Sequence, residues 1–81
     1  MLGKTKTKIL RLIAKSPKHG YALSKELGVS ISSIYDHLKE LEKSGLVAAE
    51  NKGDKVNYRI TENGKLLLKA LKVNMSEKTD T

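Results

Sequence analysis

The chain has 81 residues, 16 of them Lys or Arg against nine Asp or Glu, for a formal charge of +7. It has no cysteine, phenylalanine or tryptophan and only three tyrosines. That composition excludes a disulfide framework and a cysteine-based zinc site, and it dictates a thin aliphatic core. A domain of this size buries only about 60–65% of its unfolded surface, so one domain is expected, with a second subunit as a source of further burial. The apolar runs, such as Leu12–Ala14 and Leu66–Leu68, are only a few residues long and fall far short of the about 20 residues a membrane span needs. With no signal-peptide pattern at the start, a cytoplasmic, nucleoid-associated chain is expected, with no membrane partner.

"GKTKTK" at residues 3–8 is a basic lead-in. Residues 1–7 are either an arm or a first helical turn, and their lysines are either a minor-groove arm or solubilising charge. Ile9, Leu12 and Ile13 then follow a helical period that ends near Lys15, because Pro17 disfavours helical geometry at Ser16. A second short helix is "YALSKEL", stopped by Gly28. Ser30 is the N-cap of a third helix over 30–44, whose apolar stripe is Ile31, Ile34, Leu38 and Leu41. Gly45 ends it. From Leu46 the period changes to two, with Val56, Tyr58 and Ile60 alternating against Asn57 and Arg59. Gly53 and Asp54 supply the turn of a hairpin with a charged tip. Thr61 caps a last helix, expected to reach about Val73 ahead of a polar tail over 74–81.

No single piece is diagnostic, but the order is. Helix, helix, turn, helix, two-stranded hairpin and helix describe an α+β, mostly helical, winged helix-turn-helix spanning 8–73. A recognition helix enters the major groove by its N-terminal part. At about 100° per residue, Ser32, Ser33, Asp36, Lys39 and Lys43 fall away from the apolar stripe and form the groove-facing set. Small hydroxyls at its start permit close approach and bond phosphates or base edges. Ser30 joins them at the cap, and Tyr35 borders the set, facing either DNA or the second helix. Asp36 either accepts from cytosine N4 or holds a neighbouring lysine. Lys39 and Lys43 either meet phosphate or pair with Glu40 or Glu42. The wing carries Lys52, Lys55 and Arg59, and Lys18 and His19 stand where the second helix opens, all suited to phosphate. Leu66, Leu67, Ala70, Leu71 and Val73 cover more of the last helix than one core face requires, which favours a homodimer interface there.

"ILRLIAKSPKHGYALSKEL" followed by "SSIYDHLKELEKSGLV" resembles the DNA-binding domain of PadR-like transcriptional regulators, and "YRITENGKLLL" is similar to the wing exit of many winged-helix repressors. The resemblance covers about residues 8–72. It implies operator binding as a homodimer, with Tyr35, Lys39 and the wing near double-stranded DNA. The expected function is therefore a sequence-specific transcription regulator, by default a repressor on a palindromic operator. A protein-interaction module is the competing reading, kept open by Asp36, Glu40 and Glu42. RNA binding lacks aromatic stacking platforms. No cofactor or metal is expected, and no nucleophile, base and orienting group stand at the spacing an enzyme needs.

Overall fold

The computed structural model describes the backbone of residues 2–80 and the side chains of residues 2–72. Helix α1, Lys4–Lys15, turns Ile9, Leu10 and Ile13 inward. It starts at Gly3, whose carbonyl accepts from the Thr7 hydroxyl at 2.9 Å. It ends at Ser16, fully extended ahead of Pro17 (φ −168°, ψ 154°). Lys18–His19 form β1, and helix α2 follows over Gly20–Leu27.

The turn into helix α3, Ile31–Lys43, is locked by Ser24 and Gly28. Gly28 adopts φ 65°, a left-handed conformation that favours glycine. The Ser24 carbonyl accepts from the N–H groups of Gly28 (3.0 Å) and Val29 (3.2 Å), while its hydroxyl donates to the Val29 carbonyl at 2.6 Å. This fixes the angle at which α3 leaves α2. Ser30 caps α3, its Oγ accepting from the Ser33 N–H at 3.3 Å.

Strands β2, Val47–Lys52, and β3, Lys55–Ile60, form the wing, joined by a two-residue turn with Gly53 at φ 65°. Thr61 then anchors helix α4, Glu62–Asp80. Its Oγ1 donates to the Gly45 carbonyl at 2.6 Å and accepts from the Gly64 N–H at 3.1 Å. The cap therefore also ties α4 to the end of α3.

The fold class is the one expected, with three differences in detail. The sheet has three strands, in the order β1-β3-β2, rather than two. Two residues are too short to show a period. Pro17 ends α1 at Ser16, and Lys18 and His19, between it and α2, lie antiparallel along the free edge of β3, opposite Tyr58 and Asn57. Helix α4 continues to Asp80 instead of ending near Val73. The apolar pattern fades there, but no Gly or Pro interrupts the backbone between Gly64 and the end. Ile31 is 44% exposed, so the buried stripe of α3 begins at Ile34.

The core is Ile9, Leu10, Ile13, Leu23, Ile34, Leu38, Leu41, Val47 and Ile60, with no aromatic member. Helices α1 and α3 pack through it and are joined at its edge by an ion pair of Lys6 with Glu40. The Lys6 hydrogen bond and charge hold the Glu40 carboxyl below the usual glutamate range. A carboxyl with a depressed folded pKa stabilises the fold above its unfolded value, and that contribution disappears as pH falls through the folded value. Wild type should melt above Glu40→Gln at neutral pH, and the two melting curves should converge on acidification below about pH 4. Thermal unfolding across pH checks this; a gap that persists at low pH would remove the ion pair as its cause.

Candidate nucleic-acid interface

One face of α3 is open. Ser32, Tyr35, Asp36, Lys39 and Lys43 are exposed on it, and Ser33 is half-buried. Ser30 is exposed, with its hydroxyl engaged by the Ser33 N–H as described. Lys39 and Lys43 make no ion pair among the described residues, because Glu40 is taken by Lys6. Their charges are therefore displayed to solvent. Lys52 and Lys55 are exposed as a register pair at the wing tip.

Other residues of the expected set are engaged within the protein. Lys18 is half-buried and pairs with Glu26 at 3.7 Å. Arg59 pairs with Glu50 across the wing at 3.1 Å. His19 is the N-cap of α2, its Nδ1 accepting from the Ala22 N–H at 3.2 Å.

The wing and the helix-turn-helix meet in a cleft of about 380 Å³. All three tyrosines line it, with His19, Asp54 and Lys55. Tyr35 reaches it because α2 opens with a glycine: a Cβ on Gly20 would stand 2.6 Å from Tyr35 Cζ. Tyr21 is 56% exposed, stacks on the His19 ring (centroids 6.4 Å apart, 18° between planes) and lies under Lys25 Nζ at 5.3 Å. Tyr58 lies deeper. Burial raises the pKa of its hydroxyl, and the Tyr35 hydroxyl and Glu42 carboxylate push it further in the same direction. Tyr21, Lys25 and Tyr58 were not among the expected site residues. The spacing of Tyr21 and Lys25 along α2 was the available signal, since residues four apart share a helix face.

The residues expected at a dimer interface divide. Leu67 packs against the core with Leu68. Leu66 is 62% exposed, Ala70 is exposed and Leu71 is half-buried. The Val73 side chain lies outside the described residues. Among the described residues, no helix is long and apolar enough to cross a membrane and no cluster of His, Asp or Glu could hold a metal ion.

The model of the transcriptional regulator PadR-like family matches residues 9–70. Two uncharacterized HTH-type transcriptional regulators of Methanocaldococcus jannaschii are similar in sequence. One is 31% identical over 58 residues, 72% of this chain and 15% of that protein. The other is 42% identical over 45 residues, 56% of this chain and 47% of that protein. The chain thus spans less than half the length of either. Among solved structures, the homodimeric winged helix-turn-helix DNA-binding domain of a possible ArsR-family transcriptional regulator from Mycobacterium bovis superposes with a TM-score of 0.84. It is 26% identical, and the match covers 93% of this chain and 70% of that one. The transcriptional regulator BldR of Sulfolobus solfataricus shares the fold at 23% identity, with a TM-score of 0.81 over 98% of this chain and 62% of that one.

Proposed function

The chain belongs to the PadR-like family of transcriptional regulators, and from that we propose that it binds a palindromic operator in double-stranded DNA as a homodimer and represses by occupancy. The observation that carries this reading is the exposed face of α3, with Lys39 and Lys43 unpaired among the described residues beside an exposed basic wing tip. The N-terminal half of α3 enters the major groove. Ser32, Ser33, Tyr35 and Asp36 lie toward base edges there, and Ser30 toward the flanking phosphate. Lys39 and Lys43 meet the phosphates beside the groove. Lys52 and Lys55 reach the backbone or minor groove, with Arg59 behind them. Lys18 and His19 shape the opening of α2 more than they contact DNA, because both are engaged internally.

The dimer brings Leu66, Ala70 and Leu71 of two copies together, with Val73 continuing the stripe in sequence. Leu67 supports the helix from the core side. A leucine moved from water into an interface contributes about 1.5–3 kcal/mol. Leu66→Glu should therefore weaken the dimer at least about tenfold while leaving the monomer folded, read by light scattering and circular dichroism. An unchanged mass would place the interface elsewhere.

The deciding experiment compares binding to the promoter region of the chain's own gene with binding to random duplex across a salt series. Tight promoter binding well above random duplex supports a specific regulator. Equal, strongly salt-dependent binding to both makes the chain a non-specific DNA binder. No binding at low salt favours a protein-interaction module.

A further inference from the structure

A second basic surface lies away from α3 and the wing. Helix α1 contains no acidic residue, and Lys4, Lys8, Arg11 and Lys15 recur at intervals of four, three and four. All four are exposed and stand opposite the buried Ile9, Leu10 and Ile13. Helix α4 repeats the pattern with Lys65, Lys69 and Lys72, also exposed. The two helices pack together, and a groove of about 440 Å³ lined by Arg11, Ala14, Lys15, Leu68 and Lys72 joins their stripes. Seven of the 16 cations of the chain lie on this surface. Its one carboxylate among the described residues is Glu62, which pairs with Lys65 at 3.5 Å. Lys4, Lys8, Lys15, Lys69 and Lys72 make no ion pair among the described residues. Ordinary surfaces mix both signs, and a field of one sign attracts a polyanion.

The duplex on α3 does not reach these residues. Helices α1 and α3 turn their apolar stripes to one core, so their polar faces point away from each other. A lipid surface fits less well, because an interfacial helix needs large apolar residues exposed beside its lysines, whereas Ile9, Leu10 and Ile13 of α1 are buried in the core, Leu12 is half-buried and only the small Ala14 is exposed. The dimensions suit DNA. At about 1.5 Å per residue, the line from Lys4 to Lys15 is about 16 Å long. A strand of duplex presents one phosphate per about 3.4 Å, so about five phosphates run alongside it.

We propose that the α1–α4 face is a second, sequence-independent DNA-binding surface, through which the protein bridges two duplex segments. This rests on the reading of α3 and the wing as the first DNA surface. Leu66 shares a groove with Lys65, Lys69 and Lys72, so a dimer through Leu66 and Ala70 narrows access to the lysines of α4 and leaves those of α1 open.

The test is co-capture of a fluorescent random duplex by a second, bead-bound duplex, using the full chain at about 0.1 M salt. Lys4, Lys8, Lys15, Lys69 and Lys72 are replaced together by glutamine, with circular dichroism and light scattering confirming fold and mass. Co-capture should fall at least about tenfold, because several phosphate contacts are lost at once. Binding to a single promoter duplex through α3 should persist. Co-capture equal to wild type overturns the proposal, since bridging would then come from two recognition faces of a dimer. A variant that instead loses only its binding to anionic phosphatidylserine vesicles overturns it in favour of a lipid surface. Wild type that binds one duplex but never co-captures a second overturns the bridge alone. Failure to bind any duplex overturns the α3 reading and the bridge with it.

Discussion

Replacing Lys39 and Lys43 together by glutamine should weaken binding to any duplex about 60-fold at about 0.1 M salt and flatten the salt slope by about 1.8. Both lysines are exposed on α3, one turn apart, and neither is paired among the described residues. A phosphate contact adds about 0.9 to the slope of log affinity against log salt, which amounts to about eightfold between 1 M and 0.1 M. Two contacts compound to the figure above. The same exchange at Arg59 should do less. Its guanidinium is already shared with Glu50 at 3.1 Å, so DNA must compete for a charge that is partly neutralised. Lys18, held by Glu26, should behave like Arg59. Fluorescence anisotropy at four or five salt concentrations separates the cases. An unaltered slope in the double variant would mean that this face of α3 does not meet phosphate. Loss of affinity with the slope unchanged would point to misplacement of neighbouring groups instead.

The contrast between these lysines shows what a sequence discloses and what it withholds. Periodicity placed Lys39 and Lys43 on the open side of α3 because both lie in one element, where about 100° per residue fixes direction. The same arithmetic found Ile34, Leu38 and Leu41 inside, and helix-end preferences found the Gly28 and Gly45 stops and the Thr61 cap. It misjudged Ile31, since the first turn of a helix projects beyond the core it enters. Pairing between elements obeys no such local rule. Glu40 looked like a partner for Lys39 or Lys43, but its carboxylate is taken by Lys6, 34 residues earlier. Glu50 meets Arg59 only because the wing register sets Ala48 opposite Arg59 and Glu50 opposite Asn57, which leaves the two charges diagonal neighbours on adjacent strands. The gathering of Tyr21, Tyr35 and Tyr58 depends on three elements and on the missing side chain at Gly20. Strand β1 exists because an unused edge of β3 lies beside the two residues that link Pro17 to α2.

Gly64→Ala should lower stability by about 2–3 kcal/mol, a fall of about 10–20 °C in the midpoint for a domain of this size. Gly64 is buried in the first turn of α4, where a Cβ would stand 2.4 Å from the Leu46 carbonyl oxygen and 2.6 Å from Ile60 Cγ1. Neither can withdraw cheaply. The Leu46 carbonyl accepts from the Thr61 N–H at 3.0 Å, and Ile60 is a core residue at the end of β3. Relief requires α4 to move off the wing exit, breaking the Thr61 bonds to Gly45 and Gly64. The gain in helix propensity on going from Gly to Ala, about 1 kcal/mol, is smaller than that cost. Gly20→Ala is the informative comparison. Its added methyl would also collide at 2.6 Å, but with the far end of the Tyr35 ring, which is 43% exposed and free to swing outward. Stability should therefore change by less than about 1 kcal/mol, while Tyr35 leaves the cleft and affinity for the promoter duplex falls. Thermal unfolding and duplex titration on both variants read the two effects separately. If Gly64→Ala melts within a few degrees of wild type, α4 is not held against the wing exit as described. If Gly20→Ala binds DNA as wild type does, the position of Tyr35 over α2 has no part in recognition.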